Sequence, residues 1–516
     1  MADLGFWALA SADPDHLAVV TPDGTQVSAG ELLASSNRTV HALRQIGLGV
    51  GDAVAVVMPN CVEFFEVYLA CLQAGWYMVP VNHHLVASEI AYILSDSGAQ
   101  ALIAHERFAD TCLEAAETSE MPASRCLAVG DIPGFASYRS LRDAQPEKTP
   151  SDRTIGDVMN YTSGTTGNPK GVRRALAGIS PEDGALGLAG ILFLFGIQPA
   201  DDNVHLLGSP LYHTAVLRFS GAALHLGHSV VMMDKWDPEQ TLALIERYRV
   251  THSHMVPTQF HRLLALPEEV RTRYDLTSLR HMIHAAAPCP EDVKRRMIEW
   301  WGPVIDEYYA ASEGGGTMVD TAEWLEKPGT VGKPWPISEI AIFDDDSNRL
   351  GPGETGTVYM AMQTGDFEYH GDRDKTVKNR LGKFFTVGDI GYLDEDGYLF
   401  LCDRKTDMII SGGANIYPAE IENVLLSCPK VGDAAVFGIP NDDWGEEVKA
   451  VVEPAAGIEP SDELAGEILA FCEGRLAKFK TPRSIDFTDD MPRDPNGKLY
   501  KRKLRDPYWE GRERVI

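Results

Sequence analysis

The segment Tyr161–Gly171, YTSGTTGNPKG, preceded by the strand-like Asp157–Asn160, decides how the rest of the chain is read. It gathers three glycines, four small hydroxyl residues and one lysine into a short loop. Gly164, Gly167 and Gly171 let backbone N–H groups converge on phosphate oxygens without interference from a Cβ. Thr162, Ser163, Thr165 and Thr166 supply hydroxyl donors, and Lys170 adds a point charge. The dinucleotide and Walker templates both fail here. There is no G-x-G-x-x-G, and the position five after Gly164 is Pro169 rather than glycine. An ordinary Gly/Thr/Pro surface loop shares this composition, so the rest of the sequence must decide between the two.

The chain has 516 residues, 46 basic and 75 acidic, giving a formal charge of −29. That length implies two to four structural units. Apolar residues make up 44% of the chain, enough for substantial cores, which excludes global disorder. The acidic excess argues against duplex DNA or a polybasic membrane contact but leaves room for a nucleotide in a locally basic cleft. We therefore expect no nucleic-acid partner. The eight cysteines contain no C-x-x-C pair, so neither zinc spacing nor a disulfide framework is indicated. No Lys or Arg precedes Arg38, the opposite of a secretory or mitochondrial leader. The apolar run Gly184–Ala200, 17 residues without a charged side chain, is short of the roughly 20 a membrane span needs and reads as a buried helix. We expect a reduced, cytoplasmic protein with no transmembrane segment. Oligomeric state, a homodimer included, lies beyond the sequence.

Short β-branched runs alternate with helical stretches, the α/β signature. Strands are expected at Ala53–Met58, Ser229–Met233, Met282–Ala286 and Val304–Tyr309. Asp237 can cap a helix running to Tyr248, with Pro238 at its first position, Gln240 completing a capping box, and Leu244, Ile245 and Tyr248 facing the core. From about Glu339 shorter strands and tight turns predict a β-rich, barrel-like subdomain. After Asp403 a compact α+β unit follows, with a helix opened by Pro418 and another near Ser461–Lys478. In the second, Leu464, Ile468, Phe471 or Cys472, Leu476 and Phe479 fall at helical spacing. The predicted organisation is a large N-terminal domain, 1–403, of mixed sheets flanked by helices and including the β-rich part at 339–403. A hinge at 404–407 and a small α+β lid at 408–516 complete it.

Further motifs follow the loop in order: Pro210-Leu211-Tyr212-His213, Ala285-Ala286-Ala287-Pro288, Tyr309-Ala310-Ala311-Ser312-Glu313, Val387-Gly388-Asp389, Asp403-Arg404-Lys405-Thr406-Asp407 with MIISGGANIYPAEIE, and PRDPNGKLYK at 492–501. Together with YTSGTTGNPKG, this series closely resembles the AMP-forming adenylate superfamily of acyl-CoA synthetases, firefly-type luciferases and peptide-synthetase adenylation domains. The overall texture is most similar to bacterial fatty-acid-type synthetases. Alanine stands for glycine at Ala285 and Ala310, serine for threonine at Ser312, and valine for the usual threonine at Val387.

The resemblance implies two half-reactions, in which a carboxylate attacks the α-phosphorus of ATP and a thiol then displaces AMP. The first joins two anions, so charge must be neutralised and the attack held in line. The resemblance makes Thr162, Ser163, Gly164, Thr165, Thr166, Gly167 and Lys170 phosphate-binding and Ala286, Ala287 and Pro288 adenine-contacting. Glu313, with Thr162, becomes the Mg²⁺ ligand, since hard oxygen donors suit that ion. Ser312 belongs to the same nucleotide set. Tyr309 is the expected stacking face for adenine, and Tyr308 beside it points to the other side of a strand. Asp389 can accept both ribose hydroxyls, and Arg404 shares the ribose or phosphate. Lys498 is implied as the catalytic cation bridging carboxylate and α-phosphate. In the surrounding KLYKRKLR, five basic residues in eight, Lys501, Arg502 and Lys503 read as a solvated face.

The family's small domain rotates between half-reactions. Here that implies a pivot at Thr406 and a Ser411-Gly412-Gly413 loop lining the thiol channel. His213 gates the acyl pocket or orients the carboxylate, with Ala222 and Met255 in the pocket wall. His252-Ser253-His254 invites a metal reading, but no third ligand is evident, and a wall running into Met255-Val256-Pro257-Thr258 is preferred. No acid follows His213 closely to pair an amine, and no carrier domain follows Ile516, so an unaminated apolar acid and free coenzyme A are expected. Ala215, Gly221, Ala222 and Ala223 leave room for a bulky acid. A carrier-protein-loading enzyme, a luciferase-like oxidase and a non-catalytic nucleotide-binding relative stand as alternatives.

Overall fold

Ala53–Val57, AVAVV, is buried along its whole length because it lies at the middle of a parallel sheet, where side chains on both faces must be apolar. The computed structural model describes residues 4–162, 169–199, 202–363, 367–493, 497 and 499–510, with backbone alone for Thr162 and Lys375. The chain forms two compact units. One comprises Met1–Met255, Leu266–Ile283 and Thr364–Lys378, the other Val256–Ala265, His284–Gln363 and Asn379–Ile516.

In the first unit, six strands run in the order Ala136–Ser137, Cys126–Val129, Ala99–His105, Ala53–Val57, Tyr77–Pro80 and Asp157–Val158. Every neighbouring pair is parallel. Parallel strands need crossovers, which the helices Val62–Ala74, Ala87–Ser97 and Ala109–Thr118 supply. A second set places Val204–Leu207 between Ser229–Met232 and His252–Met255, again parallel, with Leu17–Val20 beyond Ser229–Met232. A small antiparallel sheet joins Asn160–Thr162, Lys170–Arg173 and Glu368–Tyr369.

In the second unit, Ile305–Ala310 pairs antiparallel with Gly316–Val319. The β-rich part follows as an open six-stranded sheet built around Gly356–Met362. Among the described residues it does not close on itself, so the expected barrel is a sheet with free edges. The C-terminal part carries its own core, drawn from Ile409, Ile421, Val436, Val448, Ile468 and their neighbours. Its strands Val431–Asn441 and Gly445–Pro454 form a long antiparallel pair, with Ser484–Phe487 parallel to the latter. The mixed α/β architecture, with a large N-terminal part and a small C-terminal one, is the one expected.

Several local expectations shift. Asp237 does accept a bond from the Gln240 N–H at 2.8 Å, but Gln240 does not complete the box, and the buried residues of Pro238–Tyr248 are Thr241, Leu242 and Ile245. The strand expected at Met282–Ala286 is His281–His284, and that at Val304–Tyr309 is Ile305–Ala310. The uncharged run forms the helix Pro181–Leu194, buried on one side only, with Leu186 60% exposed. No helix among the described residues is long and apolar enough to cross a membrane. The helix expected to reach Lys478 is Asp462–Cys472. Glu473 is extended and Gly474 takes φ +75°, a left-handed stop. Leu476 is therefore buried from a loop, and Phe479 is exposed.

Candidate active site

The strands on either side of the expected phosphate loop pair antiparallel, with Thr162 opposite Lys170, Tyr161 opposite Gly171 and Asn160 opposite Val172. Ser163, Gly164, Thr165, Thr166 and Gly167 lie outside the described residues, as does the side chain of Thr162. Gly171 pairs with Tyr161, and an added Cβ would stand 3.1 Å from the phenol ring, a tight approach that the ring would have to yield to by a few tenths of an ångström. The Tyr161 hydroxyl donates to Asp96 Oδ2 at 2.8 Å. Lys170 Nζ lies 3.8 Å from Asp372 Oδ2. Burial opposes the lysine's charge, but Tyr92, Asp96 and Asp372 together hold its pKa above the ordinary value.

Pro210–His213 connects the strand Val204–Leu207 to the helix Thr214–His225, and His213 is that helix's N-cap residue. Its ring packs 4.2 Å from Tyr212, which is buried. The loop is held by a residue the sequence reading missed. Buried Asn60 accepts from Leu211 N–H at 2.9 Å and donates to the carbonyls of Ser209 and Met233. An asparagine between Pro59 and the helix at Val62 reads as a turn residue, and its partners lie about 150 positions away in sequence. Ala222 and Met255 are fully buried. The space expected at Gly221 is taken: a Cβ there would meet the Tyr68 hydroxyl at 2.4 Å.

His252 and His254 are buried on the strand His252–Met255. His252 clusters with His205 and His228, ring centroids 4.9 and 5.1 Å apart. Burial lowers all of these imidazoles, His228 and His254 to about 4. No group of three metal-ligating side chains occurs among the described residues. Burial disfavours the charged form of these imidazoles, and the rings of His205, His228 and His252 pack against one another.

In the second unit, Ala285 is buried and Ala286 is exposed. Ala286 takes φ +76°, a conformation that costs a non-glycine residue about 1–2 kcal/mol. Ala287 is half-buried and Pro288 exposed. Tyr308 is buried, and its neighbour Tyr309 turns the other way, as strand alternation requires. The Tyr309 hydroxyl donates to Asp389 Oδ2 at 2.5 Å. Asp389 pairs in register with Arg404 on the next strand, and Arg404 Nε lies 3.5 Å from Asp389 Oδ1. Burial and the Asp389 carboxylate push the Tyr309 phenol well above its ordinary pKa. Two of the expected nucleotide residues, Tyr309 and Arg404, thus meet around a third, the buried Asp389 carboxylate. Ser312 is half-buried, and Glu313 is 6% exposed at the turn following this strand. Thr386, beside Val387, accepts from Gly388 N–H at 3.0 Å and donates to Val358 O at 2.8 Å, so the hydroxyl missing at 387 stands one position earlier.

Thr406 is exposed in a turn after Leu399–Arg404, closed by Asp407 N–H to Arg404 O at 3.0 Å. Ser411 ends one strand of a tight hairpin whose turn is Gly412 and Gly413, at φ +59° and +81°. This is the pair of left-handed residues that a two-residue hairpin loop requires. Trp444, half exposed and missed from sequence, lies against Gly412 and accepts its N–H at Trp444 O, 2.8 Å away. Lys498 lies outside the described residues. Its neighbour Gly497 takes φ +77° and packs so closely on Thr258 that a Cβ would stand 2.4 Å from the hydroxyl. Arg493 grips Asp433 at 2.6 and 2.8 Å and the Gly497 carbonyl at 2.6 Å. The expected solvated face fails at one of its three residues. Arg502 and Lys503 are exposed, but Lys501 is half-buried, its side chain 12% exposed and paired with Glu422 at 2.8 Å.

Two family models match the chain: that of AMP-binding enzymes over residues 6–364, and that of the AMP-binding enzyme C-terminal domain over 420–498. A fatty acid–[acyl-carrier-protein] ligase of Streptomyces coeruleorubidus is 32% identical, covering 96% of this chain and 94% of that protein. A feruloyl-CoA synthase of an Amycolatopsis species is 33% identical, covering 97% and 98%. The crystal structure of ATP-bound MatB from Rhodopseudomonas palustris is similar with a TM-score of 0.82 and 29% identity, covering 98% of this chain and 99% of that one.

Proposed function

We propose, from the premise that this chain belongs to the AMP-binding enzyme family, that it is an AMP-forming ligase joining an apolar carboxylic acid to coenzyme A. The observation that carries the reading is the buried Asp389 carboxylate held between the Tyr309 hydroxyl and Arg404. A carboxylate so placed can take up the two hydroxyls of a ribose, with the Tyr309 ring beside it for a purine.

In the first half-reaction, a carboxylate oxygen of the acid forms a bond to the α-phosphorus as the bond to the β-phosphate oxygen breaks, releasing pyrophosphate. Thr162, Ser163, Gly164, Thr165, Thr166, Gly167 and Lys170 hold the departing phosphates. Ala286, Ala287, Pro288 and Ser312 border the nucleotide. Lys498 bridges the acid and the α-phosphate, where negative charge develops. Glu313 and Thr162 are the residues that would hold Mg²⁺, and a single buried carboxylate fits an ion that binds mostly to phosphates and water. When bound, the ion neutralises phosphate charge. His213 orients the acid at the mouth of a pocket walled by Ala222 and Met255.

In the second half-reaction, a thiol sulfur bonds to the acyl carbon and AMP leaves with the carbon–oxygen electron pair. Residues 408–516 act as a lid that turns about Thr406 between steps. That turn removes Lys498 and brings Ser411, Gly412 and Gly413 to the thiol. Ligation to a carrier protein is the second reading, favoured by the similarity to the Streptomyces fatty acid–[acyl-carrier-protein] ligase.

The test is a turnover screen of medium- and long-chain fatty acids and aryl acids with Mg-ATP, each offered free coenzyme A or a phosphopantetheinyl carrier protein. Thioester formed on coenzyme A from an apolar acid supports the first reading. Product on the carrier alone supports the second, and no thioester with any acid overturns both.

A further inference from the structure

Among the described cations of the basic run 498–505, Lys501 and Arg505 have side chains only 12% and 14% exposed, and Lys501 is the one held by a carboxylate from a distant helix. Lys501 opens the short helix Lys501–Arg505, its side chain 12% exposed and its Nζ 2.8 Å from Glu422 Oε1, itself 15% exposed. By contrast, Arg502 is 60% exposed. Glu422 sits in the helix Pro418–Leu426 and also accepts the Val436 N–H at 2.7 Å. Asp403 accepts the Ala419 N–H at 2.8 Å in the first turn of that same helix. Asp403 and Asp407 are the other carboxylates acting on the ammonium. Burial opposes the charge on Lys501, yet these three carboxylates raise its pKa. A buried ammonium with such partners is a fixed point, because leaving either sign unpaired away from water is strongly unfavourable.

The position of that fixed point matters. Lys501 follows Lys498 by three residues, and on the other side Arg493 grips Asp433 and the Gly497 carbonyl. Tyr500 N–H closes the loop onto Pro492 O at 2.8 Å. The chain is therefore anchored both before and after Lys498. Asp403 and Asp407 stand on opposite sides of Thr406 in sequence.

We propose that Lys501 is a positioning residue that fixes the tail for acid activation, its pair with Glu422 and the flanking Asp403 and Asp407 coupling the 404–407 segment to the loop that carries Lys498. The proposal rests on the ligase reading for the chemistry that Lys498 performs, but the anchoring itself does not.

The experiment compares the full-length protein with Lys501→Gln, Lys501→Arg and Glu422→Gln by two readouts. The first is hydrogen exchange of segments 418–426 and 499–505. In Lys501→Gln both segments should exchange about tenfold faster, while the sheet at 53–57 is unchanged. The second is the pair of half-reactions, pyrophosphate exchange with dodecanoate or ferulate and thioester formation from the supplied acyl-adenylate. Lys501→Gln should lower kcat for pyrophosphate exchange by about tenfold, leave KM for ATP within about twofold, and change the thioester step by less than about threefold. Lys501→Arg should restore pyrophosphate exchange to within about threefold of the parent. Unchanged hydrogen exchange at both segments, or equal loss in both half-reactions, overturns the proposal. If Lys501→Gln does not fold, Glu422→Gln is held to the same two criteria. A parent protein inactive with both acids counts against the ligase reading, and hydrogen exchange then decides the anchoring alone.

Discussion

The Tyr309 hydroxyl donates to Asp389 Oδ2 at 2.5 Å, joining two strands that lie 80 residues apart in sequence. The phenol proton is committed to the carboxylate, so the Tyr309 oxygen holds Asp389 and, in the proposed function, the ring is left for a nucleotide. Replacing it by phenylalanine keeps the ring and removes the tether. A hydrogen bond to a charged group contributes about 1.5–3 kcal/mol, so Tyr309→Phe should raise KM for ATP by about tenfold or more, with kcat within about threefold. Tyr309→Ala should raise it further. Steady-state kinetics with varied ATP check this, and an unchanged KM in both variants contradicts it.

Stability should fall steeply in mild acid. His205, His225, His228 and His254 are buried and their pKa values are lowered by burial, to about 3, 3, 4 and 4. A histidine lowered in the folded state binds its proton mainly when unfolded. Stability is therefore undiminished above the unfolded value near 6.5 and is lost as pH falls from there toward the folded values. Each such site costs up to about 1.4 kcal/mol per pH unit within that window. Thermal unfolding at pH 7.5 and 5.5 should show Tm lower at 5.5 by more than about 5 °C. A flat Tm between those values contradicts the burial of these rings.

The Gly412–Gly413 turn separates two effects. Gly412 has both a left-handed φ and Trp444 2.4 Å from where a Cβ would lie, whereas Gly413 has the left-handed φ with nothing nearby. Gly412→Ala should slow the thioester step at least about fivefold and leave pyrophosphate exchange within about twofold. Gly413→Ala should show a smaller loss, since it incurs only the backbone penalty of about 1–2 kcal/mol. Equal effects of the two variants on both steps contradict a role for this turn at the thiol.

On the proposed function, Lys498 should divide the half-reactions most sharply. Lys498→Ala should lower pyrophosphate exchange by more than about a hundredfold, because charge developing at the α-phosphate loses its partner. Thioester formation from supplied acyl-adenylate should stay within about fivefold of the parent. Equal loss in both steps contradicts the lid exchange.

What the sequence made legible follows from where its information lies. Ala53–Val57 and Ser229–Met232 are continuous apolar runs that only a buried parallel strand uses, and both are strands. The helix at Pro418 and the capped helix at Asp237 announce themselves by residues next to one another in the chain. The motifs single out Tyr309, Asp389 and Arg404 as candidates, and the contacts of Tyr309 and Arg404 with Asp389 are tertiary facts that no local pattern carries. Lys501 was misread for the same reason. Its neighbours are basic and solvated, while Glu422, the group that buries it, lies 79 positions away. Asn60 and Trp444 escaped because a turn asparagine and an exposed tryptophan have many uses, and only the folded chain shows which one applies. The barrel expected after Glu339 failed because alternation and tight turns specify antiparallel strands but not closure.

The most direct measurement of the central claim is the identity of the nucleotide product when Mg-ATP, coenzyme A and an apolar acid are incubated with the protein and resolved by phosphorus NMR. The account expects AMP and pyrophosphate in equal amounts, formed only when the acid is present. ADP with inorganic phosphate, or nucleotide consumption indifferent to the acid, would contradict it.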